Sequence, residues 1–301
     1  MDGLENMRAF LAVAQTQSFT MAARRLGVSP SVVTKRVSQL EWRLGAALLQ
    51  RTTRSVQLTD LGERQQSRMQ RLIRDYDELV AGVLERPEAL EGALRISAPA
   101  AMTTLVLPGP LAAFRHAHPA VTLDIVVLDR SVNPVEEGFD IAIVVVPATY
   151  DGVVEEVLCP YPRLLCAAPD YLRGHGRPAH PSDLTHHACI AFQPSGPGWT
   201  FQGRSGPVSV AVRPVLSSTD SRVVIEMVRK GMGISVLSLP TVAEALRRKQ
   251  LVALLPDFPL PDLSVKAFVP PRRAGLARVR AFLDHLRQTL QSLEPKWKAA
   301  L

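Results

Sequence analysis

Cysteine is scarce in this chain of 301 residues, and what there is has no pattern: Cys159, Cys166 and Cys189 make an odd count with no CxxC spacing. Neither a disulfide framework nor a zinc site follows from them, and they read as ordinary reduced thiols. A redox pair of Cys159 and Cys166 is the alternative, although nothing nearby marks either thiol as activated. Long apolar runs are missing too. None approaches the roughly 20 residues of a membrane span, and the opening MDGLENMRAF carries acids where a signal peptide carries a basic region. The expectation is a cytoplasmic protein, associated with the nucleoid if its partner is DNA, and not with a membrane.

Signatures of catalysis are equally thin. No G-x-S-x-G, P-loop or Rossmann fingerprint occurs, and GMG at 231–233 has too few glycines to cradle a pyrophosphate. His116 and His118, two residues apart, point to different faces of a helix, and His186 and His187 are adjacent, so neither pair makes a metal site. Asp124, Asp129 and Asp140 lie at or near strand ends without a partnered base or nucleophile. No enzyme activity, metal or cofactor is expected.

What is present is a soluble globular composition, 47% hydrophobic and 21% charged, long enough for two or three domains. The net charge of +7 favours polyanionic partners without proving one. Leu4, Met7, Phe10, Leu11 and Ala14 share one helical face. Ser18 is placed to cap a second helix packed through Ala22, Ala23 and Leu26 and ended by Gly27. Only Val28 then separates that helix from Ser29, the N-cap position of a third, with Pro30 at its first turn. In the third helix Val33, Val37, Leu40 and Leu44 form an apolar seam. Its opposite face offers Ser31, Thr34, Lys35 and Ser38, with Arg36 alongside: small hydroxyls and a cation, suited to a DNA major groove. An αα-hairpin with a basic outer face is the plainer reading. QRTTRSVQLTD follows, alternating like a short hairpin, with Arg51, Thr53 and Arg54 placed as a wing on the phosphates.

The stretch SFTMAARRLGVSPSVVTKRVSQLEWRLGAALLQRTTRSVQLTDLG, with its "LE..LG" segment and RTTR wing, closely resembles the winged helix-turn-helix of LysR-type transcriptional regulators. It departs at Ala47 to Gln50, where a Phe commonly precedes the wing arginine, and at Trp42, where a charged residue is usual. Thr59 caps a further helix running towards Pro87. Along it Met69, Leu72, Tyr76, Leu79 and Val83 alternate spacings of three and four, as in a coiled coil. A helix lying on its own protein's surface is the alternative. In the family this helix pairs subunits, which implies a homodimer on a pseudo-palindromic DNA site and, by resemblance alone, a homotetramer, with RNA polymerase as a further partner.

Beyond residue 90, strands alternate with helices in the manner of a parallel α/β unit: ALRISA, a helix over TLVLPGPLAAFRHAHP, VTLDIVVL, NPVEEG and FDIAIVVV. A second series starts near Pro160, and LSVKAFV and GLARVRAFLDHLRQTLQ return to the first. LRISAP, EEGFDIAI, LCAAPDYL and VRKGMGISVLS resemble the two-lobed, type 2 periplasmic-binding-protein-like effector domain of the same family. The fold expected is α+β and multidomain. It comprises a winged helix-turn-helix over 1–59, a linker helix over 60–87 and an effector domain over 92–301. Lobe I takes about 92–160 and 267–301, and lobe II about 161–266.

Between the lobes, Met102 and Thr103 are expected to open one helix and Thr219 and Asp220 another, with Phe192 nearby and Arg130 the nearest counter-charge. Helix starts suit a small carboxylate. Where family members often have Arg then Gly, this chain has Val144 to Val146 and Pro147, so an aromatic or largely neutral effector stays open. Thr103 and Thr219 also read as plain caps. The expectation is an effector-responsive transcriptional regulator. An architectural DNA-binding protein without a ligand, or an α/β enzyme fused to a DNA-binding module, are the rivals.

Overall fold

A computed structural model describes residues 3–51, 56–82 and 90–300, with no account of the side chains of 51, 74 and 77–82. The chain divides into two units, Met1–Arg86 and Pro87–Leu301.

The first unit begins with α1 (Gly3–Thr16), α2 (Phe19–Leu26) and α3 (Pro30–Leu44). Ser18 accepts from the Met21 N–H at the start of α2, and Gly27 ends it at φ +65°, where a Cβ would be strained. Phe10, Val13, Ala22, Val33 and Val37 meet as a fully buried core. Leu44 does not join the seam. It is 46% exposed, because α3 ends there in the left-handed turn at Gly45. A hairpin of β1 (Leu49–Arg51) and β2 (Val56–Leu58) pairs Leu49 with Leu58. Glu41, on α3, fixes this hairpin by accepting from the Leu48 and Leu49 N–H groups at 2.9 and 3.1 Å.

Thr59 caps α4 (Asp60–Gly82): its hydroxyl accepts from Gly62 N–H at 3.0 Å and donates to the Ala47 carbonyl at 2.9 Å. The expected apolar seam of α4 divides into two faces. Met69 is buried with Ile73 in the unit's own core, so it is not a subunit contact, whereas Leu72 and Tyr76 stand 53% and 46% exposed. The Leu79 side chain and Val83 lie outside the described residues.

The second unit contains two five-stranded sheets. In chain order its elements begin β3 (Gly92–Ala98), α5 (Ala100–Leu105), α6 (Pro108–Ala117), β4 (Val121–Val127), α7 (Pro134–Glu137), β5 (Ile141–Val144) and β6 (Val154–Pro160). Next come β7 (Arg163–Ala167), α8 (Pro169–His175), β8 (Cys189–Phe192), β9 (Gly198–Gly203), β10 (Gly206–Ala211), β11 (Pro214–Ser218) and α9 (Ser221–Arg229). The chain closes with β12 (Ile234–Ser238), α10 (Leu239–Arg247), β13 (Val252–Leu254), β14 (Ser264–Val269), α11 (Pro271–Ala274) and α12 (Ala277–Lys298). One sheet runs β4-β3-β5-β14-β6 and the other β11-β8-β12-β7-β13.

Neither sheet is purely parallel, as the sequence had suggested. β14 runs antiparallel to β5 and β6, and β7 antiparallel to β12 and β13. These reversed strands follow from the two crossings between lobes, which bring the chain back through each sheet in the opposite sense. The return crossing is complete at Ser264, ahead of the expected residue 267. The helix expected after β3 is two helices, α5 and α6, because Pro108 and Pro110 restart the chain after Val106 and Leu107. α12 completes the first lobe, with Phe282, Leu286 and Leu290 fully buried beside Leu94, Ile96 and Phe114. Phe114 and Phe282 meet edge to face at 5.0 Å.

Candidate functional site

In the N-terminal unit α3 presents an uncovered polar face. Because Val33, Val37 and Leu40 anchor α3, its other side leaves Ser31, Lys35 and Ser38 exposed, with Ser29 and Pro30 exposed at its start. Ser29 holds the N-cap position without capping. Its hydroxyl pairs with that of Ser31 at 2.9 Å, so both remain on the surface. Thr34 is half-buried and donates back to the Pro30 carbonyl at 2.9 Å, which turns its hydroxyl hydrogen away from the outside. Arg36 is held by Glu5 of α1 at 3.0 Å. Lys35 is therefore the outward cation in the first half of the helix, with Arg43 exposed in its last turn. Arg51 ends β1, its side chain outside the described set, and Thr53 and Arg54 lie outside the described residues.

The second unit carries a cavity of about 240 Å³ between its two sheets. Its position follows from topology. In each sheet the parallel strands point their carboxyl ends at it, the crevice where open α/β sheets bind ligands. Pro99 and Met102 follow β3, Asp129 follows β4, and Val145 and Val146 follow β5. From the other lobe, Phe192 ends β8, Ser221 follows β11, and Ser238 ends β12. The reversed strand β7 starts at this same edge. Its first residue, Arg163, pairs with Ser238 and lines the cavity.

Of the expected effector residues, Met102 and Phe192 line the cavity and four do not. Thr103 lies inside α5 and donates to the Pro99 carbonyl at 2.8 Å. Thr219 is exposed and precedes α9. Asp220 caps α9, accepting from Arg222 N–H at 2.8 Å, and is paired with the Arg222 guanidinium, which holds its carboxyl below the usual range. Arg130 is exposed and bound by both carboxylate oxygens of Glu137, each at 2.6 Å. The polar side chains that do line it include Asp129, Ser221, Tyr161, Ser238, Thr241 and Arg163, with Ser195, Thr200 and Ser235 beside them. Ser238 donates to the Tyr161 hydroxyl at 2.8 Å, and burial pushes Tyr161 up to about 12, so it stays a neutral phenol. Val145 and Val146 bring no charge to the cavity, and Arg163 is a cation that lines it. The signal for it was the start of an antiparallel strand, legible only once the reversal of β7 is known.

The three cysteines are buried and free. Burial pushes Cys159 and Cys166 up to about 12 and Cys189 to about 11, which favours the protonated thiol over the reactive thiolate at each. Among the described residues no cluster of His, Cys, Asp or Glu could hold a metal, and no helix is long and apolar enough to cross a membrane.

A winged helix-turn-helix ahead of a two-lobed α/β unit with a cleft at its strand ends defines a ligand-responsive DNA-binding protein. The comparisons agree. Residues 4–63 match the bacterial regulatory helix-turn-helix of the lysR family, and residues 87–291 match the LysR substrate binding domain. The chain is 33% identical to the HTH-type transcriptional regulator DmlR of Escherichia coli K12, covering 95% of this chain and 94% of that protein. It is 34% identical to PtxR of Pseudomonas aeruginosa, over 95% and 93%. The LysR-type regulator CrgA of Neisseria meningitidis superposes with a TM-score of 0.62 at 27% identity, covering 95% of this chain and 98% of CrgA. The full-length Vibrio cholerae virulence activator AphB has the same fold, with a TM-score of 0.65 at 22% identity over 95% and 98%. The chain belongs to the LysR family of transcriptional regulators, which are DNA-binding, effector-responsive proteins and not enzymes.

Proposed function

We propose that α3 reads an operator through Lys35, Ser31 and Ser29, with Pro30, Thr34 and Ser18 setting the approach of the helix, and that Arg51, Thr53 and Arg54 clamp phosphates. The observation that carries this is the single uncovered face of α3, where Lys35 projects while Arg36 is tied to α1. The effector sits in the interlobe cavity, and a small carboxylate, aromatic or otherwise, is the ligand class. Two chains pair through Leu72 and Tyr76 of α4, so the operator is pseudo-palindromic, and dimers associate further into a tetramer. The protein works in the cytoplasm on the nucleoid, with RNA polymerase as the partner its output needs.

The test uses operators recovered by genome-wide occupancy. Lys35→Ala weakens specific binding by about 1–3 kcal/mol, the size of a base-edge contact. Loss of Arg51 and Arg54 weakens all sequences alike and flattens the salt dependence. Unchanged operator affinity of Lys35→Ala at fixed salt removes Lys35 from the reading face.

A further inference from the structure

The exposed face of α3 does not end with its hydroxyls and its lysine. Successive helix positions turn by about 100°, so Ser31, Lys35, Ser38 and Trp42, spaced four, three and four apart, fall within a stripe about 60° wide. All four are exposed, while Val33, Val37 and Leu40 are buried on the far side of the helix. Trp42 therefore points directly away from the core, in line with Lys35, and is 83% exposed. The other two tryptophans of the chain, Trp199 and Trp297, are 6% and 7% exposed and belong to cores of the second unit. An indole on the surface forgoes the burial that makes tryptophan stabilising. Its place on this stripe is explained by a partner that covers it.

The length of the stripe identifies that partner. At a rise of 1.5 Å per residue, Trp42 stands about 10 Å beyond Lys35 and about 17 Å beyond Ser31 along the axis. A major groove is about 12 Å wide, and the N-terminal residues of the second helix of a helix-turn-helix are the ones that meet base edges. With Ser31 and Lys35 at the bases, the stripe reaches the sugar–phosphate wall at Trp42. That wall offers a deoxyribose face for the ring and phosphate oxygens for the indole N–H, a donor with no acceptor function of its own.

We propose that Trp42 is a DNA contact at the rim of the major groove, its ring packed on a deoxyribose and its Nε1–H donated to a phosphate. The proposal rests on the reading of α3 as the recognition helix, and it extends the interface of the helix-turn-helix matched over residues 4–63. Being uncharged, Trp42 adds affinity without releasing a counterion, and being on the backbone, it holds register without reading sequence.

Because Trp199 and Trp297 are buried, acrylamide quenching of the full-length protein reads Trp42. An operator duplex recovered by genome-wide occupancy should lower the quenching constant severalfold, and a random duplex of equal length should do so at low salt. Trp42→Ala should weaken binding to both duplexes by about tenfold, the scale of a hydrogen bond to a charged acceptor. Its salt slope and the melting temperature of the free protein should not change. Trp42→Phe, which keeps a ring and loses the donor, should fall between. Trp42→Arg should recover affinity and steepen the slope of log K against log salt by about 0.9. Quenching indifferent to DNA, or operator affinity of Trp42→Ala equal to that of the parent, overturns the contact. So does protection that follows protein concentration without DNA, which marks a surface between copies of the chain. Native operator affinity with lost transcription overturns it too, and marks a protein partner instead. Lys35→Ala separates this contact from the reading beneath it. If neither variant weakens binding, α3 is not the recognition helix; if Lys35→Ala alone does, α3 reads DNA and Trp42 does not touch it.

Discussion

His187 shows how one side chain can couple stability to pH in the effector domain. Its Nδ1 lies 3.2 Å from the Tyr171 hydroxyl, which itself accepts from Ala188 N–H at 2.9 Å, while His175 stacks on the Tyr171 ring at 4.3 Å. Burial, and then the neighbouring His175, lower the His187 pKa; Asp183 opposes them and His186 adds to them. The unfolded histidine takes its proton near 6.5, so below that value the unfolded chain binds a proton that the folded chain refuses. The contribution is complete above about 6.5 and is lost as pH falls through it towards the lower folded value. The melting temperature should therefore drop between pH 7.5 and 5.5, and His187→Gln should drop less. Equal slopes in the two proteins would take His187 out of the pH response.

Among elements, the junction of α3, the hairpin and the start of α4 is the most tightly specified. Glu41 ties α3 to the backbone of Leu48 and Leu49, and the Leu48 carbonyl accepts from Thr59 N–H at 3.0 Å. Gly62, in the first turn of α4, lies so close to that carbonyl oxygen that an added Cβ would overlap it. A backbone atom cannot swing aside as a side chain can. Gly62→Ala should cost about 1–3 kcal/mol, read as a shift in the denaturant midpoint of the N-terminal unit, and a midpoint unchanged within error would mean that α4 can ride up without penalty. This junction was half legible in the sequence. Thr59 was readable as a cap, because threonine before a helical run has a known local role. Glu41 and Gly62 were not, since their partners are backbone groups of another element. In the second unit the strongly alternating or apolar strands, β3, β4, β8 and β12, could be read. β6 could not: VEEVLCP puts two glutamates in its first half. The hairpin partner β9, GWTFQG, is hidden in the sequence because it lies between a proline-glycine turn and two glycines. The effector residues fared worst. Position along the chain suggested Arg130 and Asp220, but each is neutralised by a neighbour in its own segment, Glu137 and Arg222. The charges that line the cavity, Arg163 and Asp129, come instead from a strand start and the end of another strand, brought together by tertiary folding.

At the scale of the whole molecule the question is which surface pairs two chains. A seam of Met69, Leu72, Tyr76, Leu79 and Val83 asked one face of α4 to serve the partner. The burial of Met69 and Ile73 instead commits one side of the helix to its own unit, and Leu72 and Tyr76, four residues apart on the other side, are left uncovered. Two substitutions by the same residue therefore have different outcomes. Met69→Asp buries a carboxylate in the apolar core of the N-terminal unit with no partner, so that unit should unfold, as an unpaired buried charge does. Leu72→Asp places its charge at a site 53% exposed in the single chain, so the fold should survive. What it should lose is association, because the charge becomes buried only when a second α4 packs against it. Sedimentation should then find folded monomers, and affinity for a paired operator should collapse while binding to a single half-site persists weakly. If Leu72→Asp remains a dimer with native operator affinity, α4 pairs no subunits, and the two-fold symmetry of the DNA site must be set by another surface of the protein.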